Sequence, residues 1–400
     1  MKAFSFTNIL FYLILFLIPA NLAKHFILPS SYVSGILVDY LVPAVYLTDV
    51  LIILLLIIKP IKKIPKTLMI FWLLLLPSVI FSSSLIPAIY KFGKIIEFSL
   101  FGLWIYHHRL TLSPTIVVKS VNLTVLFQSL LAIGQWLKQS SIFGYWFLGE
   151  QPYNAATAGI DKIIWLNGAL KIPPLGTFSH PNVLAGFLVI GLTLIFYKGF
   201  SFVKKTEPYW ITFFLGLIAL FLTFSLSAWL AFLLLTLPFS LRGRTSQAFL
   251  IYFSSLLIIL SLFSRGFSYL APESSFSRRS QLNKIAWQMF LNHPLTGVGL
   301  NNFTLTMDQY GYIPATTRFL QPVHNIYLLI LSETGLIGFT GFLYLIFFIF
   351  KKISNSIFHS SFLVLIFLGL FDHYLITLQQ GLLLFFICLP FYQTKNSYPR

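Results

Sequence analysis

Charge and cysteine are scarce in this 400-residue sequence. Only 9% of the residues are charged, whereas 57% are hydrophobic. A soluble domain needs more charged surface than this, so the composition excludes the soluble class and indicates a membrane protein. The single cysteine, Cys388, excludes an internal disulfide. Internal repeats and low-complexity segments are not evident either.

Long apolar runs recur along the whole chain. A helix of roughly 20 apolar residues crosses about 30 Å of hydrocarbon and satisfies its own backbone hydrogen bonds without water. We therefore predict an all-α fold, a single integral membrane domain 1–400 with about twelve transmembrane helices. The predicted spans are 4–23, 40–58, 67–83, 86–106, 115–137, 180–197, 208–224, 227–241, 247–264, 324–350, 357–371 and 374–392. The seventh and eighth can instead form one re-entrant pair, so ten or eleven spans remain alternatives.

Basic residues are distributed unevenly between the loops. One set of loops holds most of the cations, including Lys62 and Lys351, and the short loops opposite hold only Lys24. Because Lys and Arg in short loops resist translocation, we predict that both termini are cytoplasmic. The net charge of +17 then reflects topology and attraction to membrane lipids, and nucleic acid is not an expected partner. The first segment lacks an A-x-A cleavage site, which favours a retained helix.

Two loops on the extracytoplasmic side, about 138–179 and 265–323, are longer than a connection requires. In the second, residues about 277–291 predict an amphipathic helix on the outer leaflet. Its apolar residues at helical spacing are Leu282, Ile285, Ala286, Met289 and Phe290. Arg278 and Arg279 are expected in its first turn, where the helix dipole disfavours cations. They are candidates to bind a diphosphate, and lipid headgroups are the alternative ligand.

His324 and Asn325 stand where the tenth predicted span begins. Unperturbed imidazole titrates near ~6.5, so a histidine at the membrane mouth can serve as a general base, although many interfacial histidines are only polar anchors. Glu333 lies about 180° around the helix from His324, which favours a structural brace. Lys94, Glu97, Asp49 and the pair Asp372 and His373 are further candidates for an internal polar cluster. Gly335, Gly338 and Gly341 indicate close helix packing.

The first large loop ends in a second motif, Gly176 to Asn182, which leads into the sixth predicted span. Pro181 is expected at a helix start, with Ser179 or Thr177 as the cap. With Lys171 nearby, the first turn of this helix is a plausible anion site. His180 and Asn182 would support it.

These residues resemble the bacterial O-antigen ligases and O-antigen polymerases, membrane glycosyltransferases that use polyprenyl-diphosphate-linked glycans. The resemblance spans nearly the whole chain, with an O-antigen ligase-related region at about 176–345. It is carried by Tyr46 to Asp49, Gly176 to Asn182 with Leu184 and Ala185, Trp287, Pro294 to Phe303, His324 and Asn325, Glu333 and Gly335, Phe371 to Tyr374, Thr377, and Gln379 to Gly381.

The resemblance implies an all-helical bundle with a periplasmic active site in the bacterial inner membrane. His324 matches the essential histidine of the family, and Arg278 or Arg279 matches its diphosphate-binding arginine. Two positions depart from the pattern: Lys171 and Leu226 stand where family members commonly have arginine. The expected reaction is inverting, without metal or cofactor, and transfers a glycan to a lipid, glycan or protein acceptor.

Two other functions share part of this sequence pattern. A metal-dependent transferase needs paired carboxylates in an early extracytoplasmic loop, where this chain has only Asp39. A lipid-linked glycan flippase or other polysaccharide transporter shares the apolar bundle and intramembrane charges, but transporters usually have internal repeats and broken helices. The transporter remains the alternative from another functional class.

Overall fold

A computed structural model describes residues 6–109, 111–157, 159–165, 168–202, 209–241, 273–311, 313, 319–352 and 356–388. The protein is mostly helical in these ranges. The helices are α1 Phe6–Phe16, α2 Leu47–Ile58, α3 Lys66–Ile80, α4 Leu85–His108, α5 Pro114–Lys138, α6 Pro181–Phe202, α7 Tyr209–Leu222, α8 Leu226–Leu241, α9 Glu273–Asn292, α10 Phe303–Thr306, α11 Ile326–Lys352, α12 Ser356–Leu368, α13 Tyr374–Thr377 and α14 Gln379–Cys388. The predicted span 247–264 lies outside the described residues.

Two of the described helices, Pro114–Lys138 and Ile326–Lys351, are long and apolar enough to cross a membrane by length and composition. Shorter apolar helices coincide with five further predicted spans. Helix α4, Leu85–His108, has sufficient length at 24 residues, but it contains Lys91, Lys94 and Glu97. These three charged side chains therefore need polar partners in the helices that pack against α4.

The chain divides into two compact units, each assembled from segments distant in sequence. The first unit comprises Met1–Leu22 and Leu112–Glu273, and the second comprises Ala23–Thr111 and Ser274–Arg400. In the first, α5 packs against α1, α6 and α7, while α8 packs against α6 and α7. Its close-packed interior includes Phe178, Leu184 and Phe213, which are fully buried.

Two glutamines on α5 hold the loop that precedes α6. Gln128 and Gln135 are seven residues apart and therefore lie on one face of the helix, and both are fully buried. Gln135 Oε1 accepts the N–H of Gly176 at 2.8 Å, and Gln128 Nε2 donates to Thr177 Oγ1 at 2.9 Å. Of the two predicted caps, Thr177 is wrong, because it donates its hydroxyl to Pro19. His180 Nδ1 accepts the N–H of Asn182 at the start of α6. Pro181 is the first helical residue, as predicted.

The second predicted span starts later than expected. Helix α2 begins at Leu47, and residues 23–46 form two short antiparallel pairs with two 3₁₀ turns. Strand β1 Ala23–His25 pairs with β4 Ala44–Tyr46, and β2 Tyr32–Val33 pairs with β3 Ile36–Leu37. The Ser34-Gly35 turn between β2 and β3 has positive φ at both residues, as tight hairpins require.

Helix α11 is interrupted at Gly335, where φ is 59° and ψ is −167°. The turn 294–300 packs into this interruption: Leu336 N donates to Pro294 O at 2.8 Å, and Gly299 N donates to Glu333 O at 3.0 Å. A Cβ on Gly335 would lie 2.3 Å from the carbonyl carbon of Leu295. The prediction of helix packing is therefore wrong for Gly335, whereas Gly338 and Gly341 do face Leu75 and Leu74 of α3.

We expect Gly335→Ala to destabilise the protein. A side chain at this backbone conformation costs about 1–3 kcal/mol in strain, and the Cβ would also collide with the backbone of Leu295. Thermal unfolding in detergent measures the effect as a lower Tm. Gly93→Ala is the matched control, because a Cβ at Gly93 meets nothing within 4 Å inside α4. Equal Tm values for the two variants would contradict the proposed strain.

The last predicted span, 374–392, is not one continuous helix in its described part. Helix α13, Tyr374–Thr377, ends at Leu378, which is extended with φ −99° and ψ 148°, and α14 starts at Gln379. A Cβ on Gly381 would lie 1.9 Å from the Tyr374 carbonyl oxygen. Glycine at this position therefore permits the two helices to approach closely at the break.

Candidate functional site

Three titratable side chains of the second unit converge at the start of α11. His324 Nδ1 lies 3.6 Å from Asp372 Oδ1, and the rings of His324 and His373 are 4.9 Å apart. The side chains of His324 and Asp372 are 15% and 9% exposed. His324 Nδ1 has no hydrogen-bond partner among the described residues. A carboxylate beside an imidazole can orient the ring and balance the positive charge that the ring gains when it accepts a proton. Hydrogen bonds between catalytic groups are often long before substrate binds.

Asn325 fixes the backbone that carries His324. Its side-chain oxygen accepts the N–H groups of Tyr327 at 2.9 Å and Leu328 at 3.1 Å, which caps the start of α11. Its side-chain nitrogen donates to Leu370 O at 3.3 Å. Asn325 therefore ties the His324 segment to the segment that precedes Asp372.

Tyr40 is a member of this group that sequence reasoning did not identify. Its ring contacts the ring of His373 edge-on at 5.4 Å. Burial, together with the charges of Asp372 and Asp39, raises the pKa of Tyr40 well above its usual range. The protonated phenol can act as a hydrogen-bond donor. No spacing in the sequence connects Tyr40 with His373.

The two arginines lie in the second turn of α9, not in its first. The helix starts at Glu273, four residues before the predicted start. Arg278 stacks over the Phe319 ring at 5.4 Å, and Arg279 Nη1 is 3.5 Å from Phe371 O. Arg279 therefore reaches the residue next to Asp372.

The apolar face of α9 is buried against the protein. Leu282, Ile285, Ala286 and Met289 are buried in one cluster with residues that include Phe303 and Val323, and Phe290 is half-buried. The predicted amphipathic pattern is confirmed for these four residues. The predicted placement on the outer leaflet is wrong for this face, because other protein residues cover it.

Glu333 binds the backbone that directly follows the turn 294–300. Its carboxylate accepts the N–H of Asn301 at 2.9 Å and that of Phe303 at 3.1 Å. Glu333 thus joins α11 to the turn that packs into its break, the arrangement of a structural brace. Lys94, Asp49, Glu97 and Gln379 form a separate polar cluster. Lys94 pairs with Asp49 and lies 3.8 Å from Glu97, and the side chain of Gln379 donates to Asp49.

The remaining predicted residues belong to the first unit. Lys171 pairs through its backbone with Ile163 in a short hairpin, and its side chain makes no hydrogen bond or ion pair with other described residues. His180 Nε2 lies 2.7 Å from Asp161, and the Asn182 N–H donates to His180 Nδ1 at 3.1 Å. Leu226 is 40% exposed at the start of α8. Its apolar side chain cannot supply the positive charge of the arginine that family members commonly have there.

A metal ion is one ligand that the site could bind. One donor atom each of His324, Asp372 and His373 lie within 4.8 Å of one another. Two imidazoles and a carboxylate are a ligand set found at zinc and other transition-metal sites. The same three groups can also handle a proton without metal, so the geometry permits both chemistries.

Comparison with protein families gives a match to the family described as O-antigen ligase, over residues 211–343. The matched segment is a third of the 400-residue chain. It contains Arg278, Arg279, His324, Asn325 and Glu333, whereas Lys171, His180, Asn182, Asp372 and His373 lie outside it. A search of curated proteins gives no match.

Proposed function

We propose, on the premise of the match between residues 211–343 and the O-antigen ligase family, that this chain transfers a glycan from a polyprenyl-diphosphate donor to an acceptor hydroxyl. The family implies glycosyltransferase activity of the O-antigen ligase or polymerase type. The observation that carries the mechanism is the contact of His324 with Asp372 at 3.6 Å. It places a proton acceptor beside a carboxylate that can orient it.

The proposed step needs only the donor and the acceptor. His324 removes the proton of the acceptor hydroxyl as the oxygen attacks the anomeric carbon of the donor. The bond from that carbon to the diphosphate oxygen breaks, and polyprenyl diphosphate leaves with the bonding electrons. Attack opposite the leaving group inverts the anomeric carbon. Arg278 and Arg279 balance the charge of the diphosphate, Asp372 orients His324, and Asn325 and Glu333 hold the surrounding backbone.

Lys171 is proposed as a further contact of the diphosphate. An ammonium group attracts phosphate but lacks the bidentate geometry of arginine. The side chain of Lys171 is half-buried and makes no hydrogen bond or ion pair with another described residue, which supports a role in ligand binding. His180 and Asn182, which form the start of α6, are proposed to support the same region.

The proposed topology has about twelve spans in the bacterial inner membrane, with cytoplasmic termini and an extracytoplasmic active site. The uneven distribution of cations supports it. We expect cysteines introduced at Lys62 and Asp308 in a Cys388→Ser background to differ in intact cells. A membrane-impermeant thiol reagent should label position 308 and not position 62. Labelling of position 62 alone would reverse the topology.

A transporter of lipid-linked glycans is the second candidate, and the helix breaks at Gly335 and Leu378 favour it, since broken helices are common in transporters. Purified protein in proteoliposomes distinguishes the two. A transferase joins the donor glycan to the acceptor covalently and releases polyprenyl diphosphate, whereas a transporter moves the donor unchanged.

Addition of EDTA tests the metal alternative: we expect transfer to continue, and loss of transfer restored by zinc would favour a metal-dependent reaction.

A further inference from the structure

The helix break at Leu378 leaves backbone carbonyl groups without helical partners directly after His373. The last carbonyls of any helix need other donors. Here Lys91 Nζ donates to Ile376 O at 2.8 Å and to Thr377 O at 3.0 Å. A single lysine of α4 therefore closes the end of α13, the short helix that follows His373.

Lys91 is buried, with 5% of its surface exposed. Among the described residues its ammonium makes no ion pair within 4 Å, whereas Lys94, one turn later, pairs with Asp49. Burial of an ammonium group is costly unless polar partners replace its hydration. The two carbonyls at the end of α13 are these partners, and the negative end of a helix is a favourable place for a cation. The cost of burying Lys91 is thus compensated specifically at the break.

Thr377 connects this end of α13 with the imidazole of His373. Thr377 Oγ1 donates to His373 O at 3.1 Å and lies 2.7 Å from His373 Nδ1. A hydroxyl has one hydrogen, so when that hydrogen is directed to the carbonyl, His373 Nδ1 is the donor toward Thr377. In the neutral imidazole the lone pair then belongs to Nε2.

The orientation of His373 matters because its ring lies against the candidate base. The His373 and His324 rings are 4.9 Å apart at an angle of 51°, and Asp372 precedes His373 in the chain. A rotation of His373 would change the surroundings of His324 and the space next to it. A contact that holds the His373 ring, such as that of Thr377 with its Nδ1, therefore bears on the surroundings of His324.

We propose that Lys91 and Thr377 are positioning residues for glycan transfer, which hold His373 in one orientation and tautomer beside His324. This inference rests on the proposed function. Neither residue is expected to contact donor or acceptor. The effect of their substitution should therefore fall on turnover and not on donor binding.

Thr377→Val is the decisive variant, because valine has the shape of threonine without its hydroxyl. We expect a kcat reduced by up to about 100-fold, the loss that a small misplacement of a catalytic group can cause, with unchanged donor KM and nearly unchanged Tm. Thr377→Ser should restore most of the activity. Thr193→Val is the matched control: Thr193 is buried, and its hydroxyl, like that of Thr377, donates to a carbonyl four residues earlier, at 2.6 Å. It should retain wild-type kcat.

A second measurement does not depend on activity. Solid-state NMR of ¹⁵N-histidine-labelled protein in proteoliposomes, with His373→Gln used to assign the signal, reports which ring nitrogen carries the proton. Wild type should show a protonated Nδ1 at His373, and Thr377→Val and Lys91→Met should show a mixture of tautomers. If Lys91→Met does not insert, the Thr377 variants decide the question.

The outcomes separate the two proposals. Absence of transfer by the wild type would refute the proposed function, while the tautomer measurement would still test the positioning. A wild-type kcat in Thr377→Val, or the same His373 signal in both proteins, would overturn the inference. An equal loss of kcat in Thr377→Val and Thr377→Ser would also overturn it, because the hydroxyl would then have no role.

Discussion

We expect His324→Ala to lower the initial rate of glycan transfer by about 10²–10⁴-fold, the usual contribution of a general base. The protein should still fold, because His324 Nδ1 makes no hydrogen bond with described residues and its loss leaves no partner of that atom unsatisfied. The loss should appear in kcat, with donor binding retained. Initial rates at saturating donor, with donor affinity measured separately, check this result.

His324→Gln tests whether proton transfer is the reason. Glutamine can keep a hydrogen bond but cannot accept the proton, so this variant should be nearly as inactive as alanine. His293→Ala is the matched control, because His293 is an exposed histidine of the same unit whose ring binds Tyr310. Substantial activity in His324→Gln would reduce His324 to a positioning residue and direct the search to Asp372, His373 or His180.

The double substitution of Arg278 and Arg279 by alanine is expected to lower donor turnover by about 10²–10³-fold, the cost of removing a preorganised charge stabiliser. Both side chains are half-buried. Arg278 contacts the face of the Phe319 ring, and Arg279 makes one long hydrogen bond to the Phe371 carbonyl. The cost in stability should therefore be modest compared with the loss of activity. Transfer rates at several donor concentrations and thermal unfolding of the same preparations check both parts.

Matched variants separate a specific role from a general effect of charge. Lys284 is an exposed cation on the same helix, and Lys284→Ala should leave transfer unchanged. Arg279→Lys keeps the charge but loses the bidentate geometry, so it should recover only part of the activity. Normal turnover by a well-expressed double variant would leave the two arginines as lipid contacts only.

Sequence periodicity predicted the local elements well where one face of a helix is apolar. The buried face of α9 at Leu282, Ile285, Ala286 and Met289 follows from spacing, and the long spans of α5 and α11 follow from apolar length. Helix ends were less predictable. The N-terminal residues of the second predicted span instead pair as β4, Ala44–Tyr46, with β1, and hydropathy alone does not distinguish an apolar strand from an apolar helix.

The candidate site shows the same division. His324, Asp372 and His373 were each identified from the sequence, but their grouping was not, because Asp372 follows His324 by 48 positions in the chain. The lysine charge within an apolar helix could have drawn attention to Lys91, as it did to Lys94. No comparable signal exists for Tyr40, whose role near His373 depends on how residues 23–46 pack.

The sequence by itself determined that this is a helical membrane protein, because long apolar segments and a low content of charged residues are visible in the local sequence without knowledge of the fold. It also determined which polar residues are costly in such a setting and therefore need partners. Only the tertiary structure decided which groups are the partners of these polar residues. Glu333 meets the amides of Asn301 and Phe303, Lys91 meets the end of α13, and His324 meets Asp372. Each pairing joins segments distant along the chain. The contacts of Glu333 and Lys91 also lie beside backbone breaks, at Gly335 and Leu378, that local sequence patterns did not predict.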